Sequence, residues 1–214
     1  MICGYDLSTY GIMIAVLSFG GFVVENIWLA VTKGYMNSRN MHAPFLLGYG
    51  LLILAFYFLF GTPDHVKVLG MPIEIENGHL RYFVYFLIAM VTVSISEIVL
   101  GTFVEKCCGI VWWDYRNIPL HFTKYTSLPT SLGFAFIIVE IMENLFLPIM
   151  QAISMLHKTV AAVLAIGVDL IMIVDFLVSM AHMFISGKLH SFWHITINPE
   201  KEKRCLEAKI KSAV

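Results

Sequence analysis

Five apolar stretches of membrane-spanning length carry six carboxylates, Glu25, Glu97, Glu140, Glu143, Asp169 and Asp175, and not one Lys or Arg. An acidic residue at the centre of a bilayer helix costs ~2.5–3.5 kcal/mol on insertion scales. Six such residues, charged and facing lipid, would cost ~15–21 kcal/mol, as much as the whole ~5–15 kcal/mol that holds a typical domain together, or more. The acids are therefore expected to face inward. There each needs a proton, a bound cation, a polar neighbour or a cationic ligand, because burial disfavours the ionised form.

The chain of 214 residues is 58% hydrophobic and only 14% charged, which places it among multi-pass membrane proteins. The expected class is all-α: a polytopic membrane helical bundle of about five transmembrane helices, at 9–32, 44–62, 82–104, 130–156 and 159–185. Residues 1–185 form the membrane domain in this reading, and 186–214 a cytoplasmic tail, either basic and amphipathic or disordered. Eleven of the fourteen Lys and Arg fall on the side of the first and third connections and the tail, which predicts an outside N-terminus and a cytoplasmic C-terminus. The first apolar segment has no basic n-region and no small-residue cleavage site, so it is expected to stay as a membrane helix. Cys107, Cys108 and Cys205 fall on the expected reducing face and Cys3 stands alone on the other, so no disulfide framework is implied.

The second connection, 63–81, is polar and holds an Asn77-Gly78 turn signal, suiting either a short external hairpin or a plain loop. In the tail, His190 and His194 have the spacing of one helix face. Phe192 and Trp193 beside them favour an aromatic interface anchor over a metal site. Two parts of the chain also echo each other. Gly21-Phe-Val-Val-Glu25 matches Gly101-Thr-Phe-Val-Glu105, and Pro44 to Tyr49 matches Pro129 to Phe134, at offsets of 80 and 85 residues. That pattern suits two parallel two-helix repeats plus one C-terminal helix, with a binding site between the repeats.

Several clusters have the residue types for chemistry. Glu97, Gly101 and Glu105 recur every fourth residue, putting two acids on one helix flank with a small notch between them. Glu140, Glu143 and Asn144 form a second stripe, whose two carboxyls are near enough to share a proton. Asp175, Ser179 and His182 align on the last span, as a proton relay or as ordinary packing. Trp112-Trp113-Asp114-Tyr115-Arg116-Asn117 suits the headgroup zone, or a mouth in which Asp114 and Arg116 neutralise a charged ligand.

From about Ser18 to Gly133 the sequence resembles the bacterial integral membrane family named putative ABC-transporter type IV, which has small vertebrate transmembrane relatives. Gly21, Glu25, Arg39, Pro44, Tyr49 and Gly50 carry the first block of the likeness. Glu97, Gly101, Glu105, Lys106, Trp113, Asp114, Tyr115, Asn117 and Pro119 carry the second. Ser38 and Asn40 depart from the family pattern, as do His121, Lys124 and Tyr125. The resemblance implies a multi-pass protein of the bacterial cytoplasmic membrane, whose transporter label names no substrate and no settled biochemical role, and Glu25, Glu97, Glu105 and Asp114 as more than helix glue.

The leading expectation is a permease-like or transport-associated protein with an intramembrane acidic site for a proton, cation or cationic solute. Glu25, Glu97 and Glu105 would serve as carboxylate ligands, with Arg39, Tyr49, Trp113, Asp114 and Tyr115 around the cytoplasmic mouth. Glu140, Glu143, Asn144, Asp175 and His182 would form a secondary polar site. No Gly-x-x-x-x-Gly-Lys-Ser/Thr phosphate loop occurs, so ATP-driven work would need a separate ATP-binding subunit. No cofactor and no nucleic-acid partner are expected; the partners are the lipid bilayer and other membrane proteins, and the identity of any metal is left open. Two alternatives stand beside this reading. One is a membrane-embedded enzyme acting on a lipid or isoprenoid through carboxyl general acids, and the other is a non-catalytic accessory subunit.

Overall fold

In the computed structural model, which describes residues 4–212, four helices are long and apolar enough to cross a bilayer. They are α1 (Leu7–Lys33), α3 (Gly78–Cys108), α4 (Leu128–Ser154) and α5 (Lys158–Ser186). At 27 to 31 residues each is roughly 40 Å long, beyond the ~30 Å of hydrocarbon it must cross. The expected span at 44–62 is shorter: α2 covers Leu47–Phe60, 14 residues or about 21 Å. Gly61, at φ 72, takes the chain out of the helix, and a Cβ there would strike the His65 carbonyl. A three-stranded meander follows, β2 (Gly61–Thr62), β3 (His65–Val68) and β4 (Met71–Pro72), with buried Val66 joining the helix core. Tyr85 of α3 ties this meander down by donating its hydroxyl to the Gly61 carbonyl at 2.7 Å.

The second connection does hold a hairpin, in β2–β3–β4, but the Asn77-Gly78 signal starts a helix and is not its turn. The Asn77 side chain accepts from the Leu80 amide at 3.1 Å, capping α3. Ser127 caps α4 in the same way, with Thr130 reciprocating and Pro129 in the first turn, where its missing N–H is harmless. Within α4 residues Ile141–Leu145 widen into a π turn. Pro148 accounts for it: the proline has no N–H to offer the Asn144 carbonyl four residues back, and its ring crowds that carbonyl.

Contacts fix the directions. Tyr10 meets Phe58 near one end of α1, and Gly21 meets Tyr49 further along, so α1 and α2 are antiparallel. Tyr82 with Glu143, Ser94 with Ser131 and Gly101 with Tyr125 make α3 and α4 antiparallel in the same sense. Helix α5 runs alongside α1, with Lys158 near Asp6, Asp169 against Gly11 and Asp175 bonded to the segment after α1. The first and third connections and the tail therefore gather at one end of the bundle. Its core is apolar and close-packed, built around Met13, Leu17, Phe56, Tyr85, Ala135, Met142 and Phe146.

The tail is neither one helix nor unstructured over its described length. His194–Thr196 (β5) pairs antiparallel with Tyr35–Asn37 (β1), and α6 (Pro199–Ser212) follows. His190 and His194 thus lie outside any helix; the His194 Nε2 sits 2.7 Å from Glu202 Oε1 instead. Extension wins here because the edge of β1 offers backbone partners that a solvated helix lacks. Cys3 lies outside the described residues.

Candidate functional site

At the end of the bundle where the basic connections gather, the sequence motif Gly-x-x-x-Glu is used twice. On α1, the Tyr49 ring from α2 lies across buried Gly21, occupying the space a Cβ would need. Its hydroxyl donates to Glu25 Oε1 at 2.5 Å. Arg39 Nη2 reaches Glu25 Oε2 at 3.0 Å, and both side chains are more than four-fifths buried. On α3, the Tyr125 ring covers Gly101 and its hydroxyl bonds Glu105 Oε2, while Lys124 Nζ donates to Glu105 Oε1 at 2.5 Å. Glycine is required at both positions because the aromatic ring touches the helix backbone itself.

Arg39 is aimed by a loop held from two sides. Asp175 of α5, only 8% exposed, accepts from the amides of His42 and Ala43 at 3.0 and 2.9 Å, and lies 2.8 Å from His42 Nδ1. From the tail, the Phe192 amide donates to Ser38 Oγ at 3.0 Å and the His190 amide to Asn40 Oδ1 at 2.7 Å. Arg39 and Asn40 both adopt left-handed backbone conformations, φ 52 and 69, which the clamped ends impose. Asp175 thus acts as an anchor of this loop. Its hydroxyl neighbour Ser179 is 3.4 Å away, whereas His182 packs against His190.

The second module sits closer to solvent. Glu105 and Lys124 are each about one-third exposed. The bond to Glu105 holds the Lys124 ammonium above its ordinary range, and burial followed by the Glu105 bond pushes the Tyr125 phenol up. Trp113 Nε1–H donates to the Tyr125 carbonyl at 2.9 Å, fixing the loop that supplies the ring.

Glu97 lies between the two modules. The hydroxyls of Tyr115 and Thr126 face its carboxyl, and Glu25 is near enough to repel it. Burial, then the nearby Glu97 and Glu25 carboxyls, push the Tyr115 phenol far up, so it stays a donor. Thr126 Oγ1 continues to Ser131 Oγ at 3.0 Å and on to Ser94 Oγ at 2.9 Å. Glu97 Oε2 and Arg39 Nε are buried with no hydrogen-bond partner, leaving one acceptor and one donor unused in the same cluster. No Lys or Arg pairs with Glu97 among the described residues.

The structure thus brings together Glu25, Arg39, Tyr49, Glu97 and Tyr115, and sets Glu105 with Trp113 in the adjoining module. It gives Glu25 and Glu105 fixed countercharges from the loops, which the apolar spans by themselves do not contain. Asp114 is turned to its own neighbour: Arg116 Nε and Nη2 both bond its carboxylate, at 2.9 and 2.6 Å, and hold it below the usual carboxylate range. Glu140, Glu143 and Asn144 are elsewhere, exposed on α4, with Asn144 donating to Glu140 and Tyr82 to Glu143. Against the expectation that every acid faces inward, both lie on the outside of the bundle, each with its own partner. Asp169 is set against Gly11 on a different stretch of α5. Among the described residues no three His, Cys, Asp or Glu converge as metal ligands.

Sequence reasoning named Lys124 and Tyr125 only as departures from the family pattern, counting against a contact by their loop, and passed over Thr126. The signal was present, since a second Gly-x-x-x-Glu requires a second ring to cover its glycine. The repeat alignment puts Phe134 opposite Tyr49, but phenylalanine has no hydroxyl for a glutamate. Phe134 instead packs beside Tyr49, ring centroids 6.4 Å apart, where the two hairpins meet.

A family model described as putative ABC-transporter type IV matches residues 12–180. No curated protein and no solved structure matches the chain.

Proposed function

Because the chain belongs to the putative ABC-transporter type IV family, we propose that it is a multi-pass, permease-like or transport-associated protein that takes a proton or a cationic solute at Glu97. One observation carries this reading. Glu25 and Glu105 are already paired with Arg39 and Lys124, whereas Glu97, faced by the hydroxyls of Tyr115 and Thr126, keeps one buried oxygen without a partner. An unpaired carboxylate in that position is costly unless a proton or cation joins it. Tyr115 and Thr126 orient the carboxyl, and the Glu25–Arg39 pair sets the field around it.

The gathering of basic connections and tail at one end supports a cytoplasmic placement of that end, with the N-terminus outside. ATP-driven movement would need a separate ATP-binding subunit docked there. The test uses the full chain in proteoliposomes, with a pH-sensitive dye inside and an imposed potassium diffusion potential, and a parallel assay of labelled choline uptake. Entry of protons or choline above protein-free vesicles, abolished in Glu97→Gln with an unchanged melting temperature, is the expected result. Flux equal to protein-free vesicles for both probes, or undiminished flux in Glu97→Gln, would overturn it.

A further inference from the structure

The outer face of α4 carries polar side chains where a single chain meets only lipid. Glu140, Glu143 and Asn144 are exposed and stand near the middle of this 27-residue helix. Glu140 is about 18 Å from the helix start at Leu128 and about 21 Å from its end at Ser154, which is hydrocarbon depth from either side. Each acid has one bond within the chain. Glu140 Oε2 accepts from Asn144 at 3.1 Å and Glu143 Oε1 from Tyr82 at 2.8 Å, and the second oxygen of each carboxyl has no partner among the described residues. Acids left against lipid at that depth are costly, so this face calls for a cover. The polar group also belongs to a longer stripe. Gly133, Phe136, Glu140, Asn144 and Gln151 are all exposed and fall within an arc of about 90° on the helix, the π turn included. A Cβ built on Gly133 meets nothing within 4 Å, so another helix can approach closely there.

We propose that this face of α4 is the interface between two copies of the chain, lying side by side in the same orientation. Membrane insertion orients every copy alike, so a two-fold axis along the membrane normal sets each residue of the stripe opposite its own counterpart at equal depth. Such an interface demands side chains that bond to their own kind. Asn and Gln do so amide to amide, and a carboxyl does so by sharing a proton, whereas Lys and Arg only repel their counterparts. The stripe contains Glu140, Asn144 and Gln151, and α4 has no Lys or Arg along its whole length. Its polar chemistry is therefore self-complementary. Asn144 and Gln151 pair across the axis, Glu140 shares a proton with its counterpart, and Gly133 and Phe136 supply the close packing. This assignment does not depend on the role of Glu97.

The full chain, its four cysteines replaced by serine and a single cysteine returned, is placed in vesicles and oxidised with copper phenanthroline. A disulfide-linked dimer is expected for Phe136→Cys and none for Ile173→Cys, which faces outward on α5. In a second arm, donor- and acceptor-labelled copies are diluted with lipid and their energy transfer gives the dissociation constant. Glu140→Leu combined with Asn144→Leu should raise that constant about tenfold, the size of one polar contact between membrane helices. Its melting temperature in detergent should not fall, because the replaced side chains face outward in the single chain. Three results would overturn the assignment. They are a chain that stays single at every dilution, as it would if a cationic helix of another protein were the cover, cross-linking through position 173 but not 136, and a dissociation constant unmoved by the double substitution.

Discussion

Tyr49 donates its hydroxyl to Glu25 across 2.5 Å while its ring covers Gly21, so a single side chain satisfies a membrane carboxylate and cements two helices. Tyr125 repeats the arrangement over Gly101 and Glu105 from a loop instead of a helix. The same three residue types thus solve the same problem twice: a glycine admits the ring, the ring brings a hydroxyl, and the hydroxyl and a loop cation satisfy the acid.

Removing either hydroxyl tests this directly. Tyr49→Phe should lose about 1–2 kcal/mol, since the deleted bond went to a carboxylate. Tyr125→Phe should lose less, because Glu105 is more open to water. Thermal unfolding in one detergent measures both, and an effect larger for Y125F than for Y49F would contradict the ordering.

The glycines should separate into two kinds. Gly21→Ala and Gly101→Ala force a methyl into an aromatic ring and should each cost roughly 1–3 kcal/mol. Gly133→Ala, with open space around the new methyl in the interior of α4, should gain up to ~1 kcal/mol from helix propensity. Equal melting temperatures for G101A and G133A would refute the ring contact.

Glu25 and Arg39 should prove coupled. Each single change, Glu25→Gln or Arg39→Gln, strands its partner in a site less than one-fifth exposed, whereas the double change strands neither charge. A double-mutant cycle should give a coupling of about 1–3 kcal/mol, discounted for the remaining solvent screening. Additive singles would mean that the pair is not formed.

Asp175 is expected to control the loop that aims Arg39. Asp175→Ala leaves the His42 and Ala43 amides without acceptors, at a cost of about 3 kcal/mol. Hydrogen exchange of residues 42 and 43 in detergent should speed up strongly, while exchange within β3 stays unchanged. Unaltered protection at 42 and 43 would remove the anchor role.

The Asp114–Arg116 pair has a definite pH signature. Arg116 depresses the Asp114 pKa in the folded chain, so the contribution is present above the unfolded value of ~3.9 and is lost as pH falls through the folded value. Asp114→Asn should therefore melt slightly below the parent at pH 6, and the gap should close in acid. A gap that widens on acidification would have the wrong sign.

Much of this was legible from composition and spacing. The apolar runs announced a membrane bundle, the repeated Gly-x-x-x-Glu marked the two acids and their notches, and Trp113 with Tyr115 marked the loop that closes over them. Asn77-Gly78 misled because the same dipeptide serves a hairpin turn and a helix N-cap, and only the chain on either side distinguishes the two. In the tail a short helix does form at Pro199–Ser212, but His190 and His194 share no helix face, because their spacing carries no information about a distant strand edge.

What the sequence determined by itself was the solvent of this protein and the presence of acids that are costly in it, since hydropathy and the cost of a buried charge are local properties. Which acid receives Arg39, which receives Lys124, and which is left with an unused oxygen was decided only by tertiary structure. Those pairings join residues 14 and 19 positions apart, through loops whose path is set by Asp175, the tail strand and Trp113. Ion pairing falls off within a few ångströms, and no periodicity along the chain encodes so short a distance between its separate parts.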